Sequence, residues 1–467
     1  MNLKSYLLLL IVCCMNFSCF TDLDDEIRPA TTAEIADFIY RGLNYWSIYK
    51  ADVPDLANNR FDSESEKKAF LEGFETPEEA FDALTSPRDR FSILRDDYIV
   101  LENALAGVRL STGMRFSILE DPNNSSNLFG LVRYVINNSP AATAGVERGM
   151  IFTAVNGSTL TSSSDLDAIF GEVNYTINLA TYDGTDFTLT GTDIALDQVE
   201  LTINPVHSVR TINTPDKTIG YLHYTGFTNE FDPELNAAFA QLQSEGVTEL
   251  ILDLRYNGGG SIETANDLCS MITGQFNGRE FITQVYNEDR NADNQFVRNF
   301  NANISNGDGI NSLNLDRVFV ITTGNTASAS ELILSGLDPY IPITQIGSST
   351  RGKFEGSFLL YDAPAPNFRR SEANPNHRYV MLPLALKSVN ANGLTDYFDG
   401  FSPDILIEED SFNLGVQGEE SDPLTMAAIN AALGRSAMKD LNTEASHSLF
   451  ESDQKDPLYQ RMMVDKL

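Results

Sequence analysis

Three short stretches of this 467-residue chain place side chains and backbone where they could do chemistry together. In the first, the aliphatic run Val318-Phe319-Val320-Ile321-Thr322 gives way to Thr323-Gly324-Asn325-Thr326-Ala327-Ser328-Ala329-Ser330-Glu331. A buried strand therefore ends in a glycine turn, and a helix starts among small residues. Amides at a new helix start lack intrahelical partners, and the helix dipole favours negative charge there. Ser328 could attack a carbonyl carbon while such amides hold the developing oxyanion. Taken alone, a serine at this position reads more readily as a helix cap. In the second stretch, Ile251-Leu252-Asp253-Leu254-Arg255-Tyr256 runs into Asn257-Gly258-Gly259-Gly260. Consecutive glycines let the backbone approach a ligand and turn amides towards it, or simply make a sharp strand-to-helix turn. In the third, Gly347-Ser348-Ser349-Thr350-Arg351-Gly352-Lys353 leads to Phe354-Glu355-Gly356-Ser357. A lysine in a short loop beside buried strands can act as a base, because burial disfavours its charged form.

Histidine is the obvious rival base, and the chain has only His207, His223, His377 and His447. His223 lies in a strand and could face the site; otherwise it is a packed strand residue. No Cys or His pair stands at metal-ligand spacing, so neither a metal nor a cofactor is expected.

The elements that must position these stretches are legible in outline. From 206 to 435, strands at Thr218–Tyr224, Glu249–Leu254 and Val318–Thr322 alternate with helices near 233–244 and 261–273, and a last helix covers 425–433. This region reads as an α/β core. From 108 to 205 the period is two, with turn residues between short runs. From 31 to 107 it is helical: Ile35, Phe38, Ile39, Leu43 and Trp46 recur at helical spacing, and Thr76-Pro77-Glu78-Glu79 opens another helix as a capping box. Nothing in that region reads as chemical. Residues 436–467 read as a polar, mobile tail.

With 32 Lys+Arg against 66 Asp+Glu the formal charge is −34, which argues against nucleic acid as a partner. The apolar run Tyr6–Met15 after Lys4 suits a signal peptide over 1–18 and is too short to span a bilayer. Phe17-Ser18-Cys19 resembles a bacterial lipoprotein cleavage site, which implies acylation of Cys19 and a cell-envelope, outer-membrane location. Residues 19–30 then form a tether, and Asp22-Leu23-Asp24-Asp25-Glu26 resembles the surface-export signal of Bacteroidetes lipoproteins.

Taken together, Asp253–Gly260, Thr326-Ala327-Ser328-Ala329-Ser330-Glu331 and Gly352-Lys353 resemble the signature of the carboxyl-terminal processing (tail-specific) serine peptidases, in Bacteroidetes-type lipoprotein form. The stretch Asn138–Gly157 resembles a PDZ domain, which that family places ahead of its catalytic core. Asp89-Arg90-Phe91-Ser92 resembles the N-terminal segment of Bacteroidetes members. The resemblance implies a mixed α/β multidomain fold: an N-terminal helical domain, a PDZ domain over 108–205, and a crotonase-like (ClpP/crotonase type) peptidase core over 206–435. It implies an ATP-independent endopeptidase with Ser328 as nucleophile and Lys353 as base, and with amides of Ala329 and of Gly258 or Gly259 in the oxyanion hole. Where the family often has Gln four residues after the lysine, this chain has Ser357, whose hydroxyl would orient the amine. In the PDZ domain the loop Gly113-Met114-Arg115 would hold the carboxylate of a polypeptide C-terminus. The competing expectation is a catalytically silent peptide-binding lipoprotein that keeps the fold.

Overall fold

The computed structural model describes residues 28–435 and 448–464; the leader 1–18, Cys19 and the acidic stretch 22–26 lie outside the described residues. The aliphatic runs become neighbouring strands of a six-stranded sheet. Its order is Val206–Asn213, Thr218–Tyr224, Glu249–Asp253, Val318–Thr322, Ile343–Gly347, Ile405–Leu406, and only the first pair is antiparallel. Pleating divides each strand between two cores. Leu250, Leu252, Val318 and Val320 pack with helices Asp232–Ser244, Ile262–Thr273 and Ala329–Leu337, while Ile251, Phe319, Ile321 and Ile346 pack with helix Pro423–Ala432. Burial on both faces is why these strands read as unbroken aliphatic runs.

The parallel register has a direct consequence for the site. Asp253 pairs with Ile321, and Thr322 pairs with Gly347, so the three strands end together. The loops that follow them, with the glycines, Ser328 and Lys353, emerge side by side at the carboxyl edge of the sheet.

The N-terminal region, expected as a helical domain over 31–107, packs its helices directly onto the core. Helices Thr32–Trp46 and Pro77–Leu84 bury Phe38, Ile39, Trp46 and Leu84 in the same cluster as Phe358, Leu360 and Met381 of the core. The Trp46 indole donates to Pro366 O at 3.1 Å, and strand Ile93–Arg95 pairs with Val380–Leu382. An amphipathic helix must bury its stripe somewhere, and here the catalytic core supplies the partner surface. At the second helix Thr76 caps the Glu79 amide at 3.1 Å, but the Glu79 carboxylate reaches Glu75 N instead of completing a box on Thr76.

Residues 108–205 form a β domain. Strands Met114–Asp121, Asn124–Val135, Ile151–Val155, Asn174–Tyr182 and Phe187–Asp197 run antiparallel around Phe116, Phe152, Ile177 and Leu196. Its short helix Pro140–Thr143 is capped by Ser139.

The segment beyond Gly434 also departs from expectation. Ser448–Glu451 adds to the edge strand Met114–Asp121. Met462–Met463 inserts into a second six-stranded sheet, between Gly260–Ser261 and Glu355–Ser357. Phe450, Met462, Met463 and Val464 are buried, and these few apolar residues anchor a segment whose average composition is polar.

Candidate active site

Ser328 forms the junction between its strand and helix Ala329–Leu337, with φ 66° and ψ −118°. A side-chain-bearing residue at such angles stores roughly 1–3 kcal/mol of strain and persists only when its surroundings over-determine it. Two buried groups do so. The Glu331 carboxylate accepts from Ser328 N (2.8 Å), Lys353 N (2.9 Å), Gly352 N (2.6 Å) and the Thr350 hydroxyl (2.6 Å). It therefore ties the nucleophile turn to the lysine loop. Burial pushes its carboxyl pKa up, against these hydrogen bonds, which pull it down. Asn257 ties the same turn to the glycine loop: its carbonyl accepts from Ala327 N (3.1 Å) and the Ser330 hydroxyl (3.0 Å). The Ser328 hydroxyl itself is fully buried and has no hydrogen-bond partner.

In the glycine loop the Asn257 side-chain oxygen takes the Gly259 amide at 2.9 Å. That commitment takes the Gly259 amide out of the pair expected, with Ala329, to hold an oxyanion. Gly259 has φ 109°, and a Cβ built on it would lie 2.5 Å from Ser328 Cβ, so only glycine fits against the nucleophile. A cavity of about 1020 Å³, lined by Tyr256, Gly258, Gly259, Phe227, Tyr459 and Gln460, adjoins the loop.

Lys353 is fully buried, and burial pulls its pKa down to about 7; Glu355, Asp89 and Glu331 oppose the fall, and Arg461 adds to it. Its amine donates to Glu355 O at 2.7 Å and lies 5.3 Å from the Phe91 ring centre. It is not hydrogen-bonded to Ser328. Ser357 does not orient it either: the Ser357 hydroxyl has no partner. A backbone carbonyl two residues along fills that role instead.

Phe91, Asp89 and Arg90 come from the helical region that read as inert. Arg90 donates to Gly352 O at 2.5 Å, and the Asp89 carboxylate caps the Phe91 and Ser92 amides. The Asp89–Ser92 stretch was the available signal, but sequence gave it no role in the chemistry.

His223 is not brought to Ser328. It packs against Tyr134 (5.5 Å between ring centres) and His207 (4.9 Å), and neither ring nitrogen has a partner. Burial pulls its pKa well down, leaving a neutral imidazole.

At the β-domain loop, the Gly113 amide donates to Ser111 Oγ (3.0 Å) and the Met114 amide to Thr112 Oγ1 (3.2 Å). These local bonds take up both amides expected to hold a carboxylate. Arg115 does meet one, Asp453, at 2.8 Å.

A strained serine at a helix start, a desolvated lysine on a loop tied to it and a glycine loop packed against the serine are equipped for acyl transfer. The sequence model of peptidase family S41 matches residues 218–359, the span that carries all three, and that of the peptidase S41 N-terminal domain matches 34–93. A carboxy-terminal-processing protease of Bartonella bacilliformis is 27% identical over 297 residues, covering 57% of this chain and 63% of that protein, so less than two thirds of its length is spanned. A carboxyl-terminal-processing protease of Synechocystis sp. is 26% identical over 324 residues, covering 68% of this chain and 67% of that one. A solved Bacteroides fragilis structure assigned to the S41 proteases shares the fold, with a TM-score of 0.67 at 23% identity, over 88% of this chain and 98% of that one. Matches lie on both sides of the β domain, and the larger one falls on the strands that present Ser328 and Lys353, so in these two stretches the chain is similar to peptidase family S41.

Proposed function

We propose that the protein is an ATP-independent serine endopeptidase of the tail-specific type, working through a Ser328–Lys353 dyad. The observation that carries this reading is the fully buried Lys353, its pKa drawn down to about 7 and its loop fastened to the Ser328 turn by Glu331. The neutral amine takes the proton as Ser328 Oγ bonds the scissile carbonyl carbon. The Ala329 and Gly258 amides carry the oxyanion; one such donor supplies ~2.7–4 kcal/mol of transition-state stabilisation. As the C–N bond breaks, Lys353 returns the proton to the leaving amine. Water then attacks the acyl ester and gives its proton to Lys353, which passes it to Ser328 Oγ as the C–O bond breaks, so that the new carboxyl group is released with serine and neutral lysine restored.

In this reading the β domain acts as a PDZ domain that captures polypeptide C-termini by strand addition to Met114–Asp121, with Arg115 as the cation for the carboxylate. Acylation of Cys19 would hold the enzyme at the outer membrane; incorporation of labelled palmitate, lost in Cys19→Ala, tests that. The peptidase reading is tested by incubating mature protein with casein beside Ser328→Ala. Cleavage by the wild type alone is expected. Equal cleavage by both would show that Ser328 is not the nucleophile, and no cleavage by either would favour a silent peptide-binding lipoprotein.

A further inference from the structure

We propose that residues 448–464 are an internal ligand of this enzyme, occupying the peptide edge of the β domain and the catalytic slot at once, so that the chain is closed in cis. The effect on activity rests on the peptidase reading above; the occupancy does not. Ser448 pairs with Leu119 and Glu451 with Ser117, so the segment runs antiparallel towards the Gly113 loop. A peptide whose C-terminus is held at that loop must run the same way. Phe450 fills the domain's aromatic core, 5.5 Å from Phe170 and 6.1 Å from Phe116. Ser452 Oγ then accepts Phe116 N at 3.0 Å, and the Asp453 carboxylate meets Arg115 where a terminal carboxylate would be held.

The chain does not stop there. A Cβ built on Gly258 would lie 3.0 Å from Gln460 N, and one on Gly259 would lie 2.9 Å from Arg461 O and 2.5 Å from Ser328 Cβ. The Arg461 carbonyl thus sits beside the nucleophile. Met462 and Met463 pair with Gly260–Ser261, Met463 pairs with Ser357, and Val464 N donates to Ser357 O at 2.9 Å. Two sheet edges flank the catalytic loops, and an extended substrate would add between them. The chain's own segment fills that space. The Arg461 guanidinium lies 5.9 Å from the Phe91 ring that also covers Lys353. Substrate and tail therefore compete for the same backbone partners, and a competent fraction exists only when the tail leaves.

The test uses full-length protein. Phe450→Asp puts a carboxylate into the aromatic core, and Asp453→Lys sets like charges against Arg115; the second variant serves if the first folds poorly. Each should cleave a short fluorogenic peptide roughly tenfold faster in kcat/KM than wild type. In a Ser328→Ala background, a labelled synthetic peptide of residues 448–464, followed by fluorescence anisotropy, should bind the tail variants roughly tenfold tighter than the chain with its tail intact. Equal binding with and without the tail substitutions, in proteins with wild-type melting curves, would overturn the proposal. Tighter binding with no cleavage by any variant would leave the internal ligand standing and remove the peptidase reading instead.

Discussion

Replacing Lys353 with methionine keeps an unbranched apolar stem of similar length and removes the amine, which isolates the effect of a buried base. Burial brings the Lys353 pKa to about 7, against 10.5 for a free lysine. Between those values the folded chain binds fewer protons at this site than the unfolded chain. The slope of unfolding free energy with pH is therefore positive, and this site's contribution to stability rises as pH rises through the window. Below about pH 7 both states hold the proton and the contribution is flat. Across about pH 7 to 9 the linkage relation gives a gain of roughly 2 kcal/mol. Urea unfolding of wild type and Lys353→Met at stepped pH should show that gain as the difference between the two curves, because groups common to both cancel. Kinetics supply an independent readout, since only the neutral amine can accept the Ser328 proton. The kcat/KM for a peptide substrate should climb to a plateau with its midpoint near pH 7. Parallel stability curves, or a rate limb centred above about pH 9, would refute a desolvated lysine at this position.

Three further expectations follow from the same geometry. Glu331→Gln leaves one oxygen where two served four donors on two chain segments, and turns an NH2 group on the donors at the other position; kcat should fall by about 10²-fold with KM nearly held, and calorimetry should show a loss of about 1–3 kcal/mol. A change confined to KM would contradict its place as the clamp between nucleophile and base. Arg461→Gln removes a cation that lowers the Lys353 pKa, so the midpoint of the pH–rate profile should move up, and an unchanged midpoint would separate Arg461 from the site. Gly113→Ala, at φ 83° with its new Cβ 2.1 Å from Ser139 Cβ, should distort the β-domain loop and raise KM for long polypeptides relative to that for a short fluorogenic peptide. Equal effects on both substrates would deny that loop a part in capture.

What the sequence made legible depended on whether the cause was local. Leu250–Leu252 and Val318–Ile321 announce themselves because strands buried on two faces must be aliphatic throughout, and parallel pairing then places all three loops at one edge. Ser328 could be placed from its strand, its turn and the helix after it. Glu331 stood in plain view, but its work depends on Thr350, Gly352 and Lys353, which only the fold brings to it. Side-chain chemistry points to Ser357 as the lysine's partner, whereas the acceptor is the Glu355 carbonyl, a group every residue possesses and no sequence pattern marks. The same blindness to backbone explains the Gly113 loop, where Ser111 and Thr112 take the two amides. The C-terminal segment was hidden for a different reason. Its two short strands each pair with residues far away in the chain, and its fully apolar anchors are few, Phe450 and the run Met462–Val464. A segment of that composition reads as mobile until the edges that receive it are known: Met114–Asp121 in the β domain, and the pair Gly260–Ser261 and Glu355–Ser357, which flank a slot only once the glycine loop and the Lys353 loop have been folded side by side.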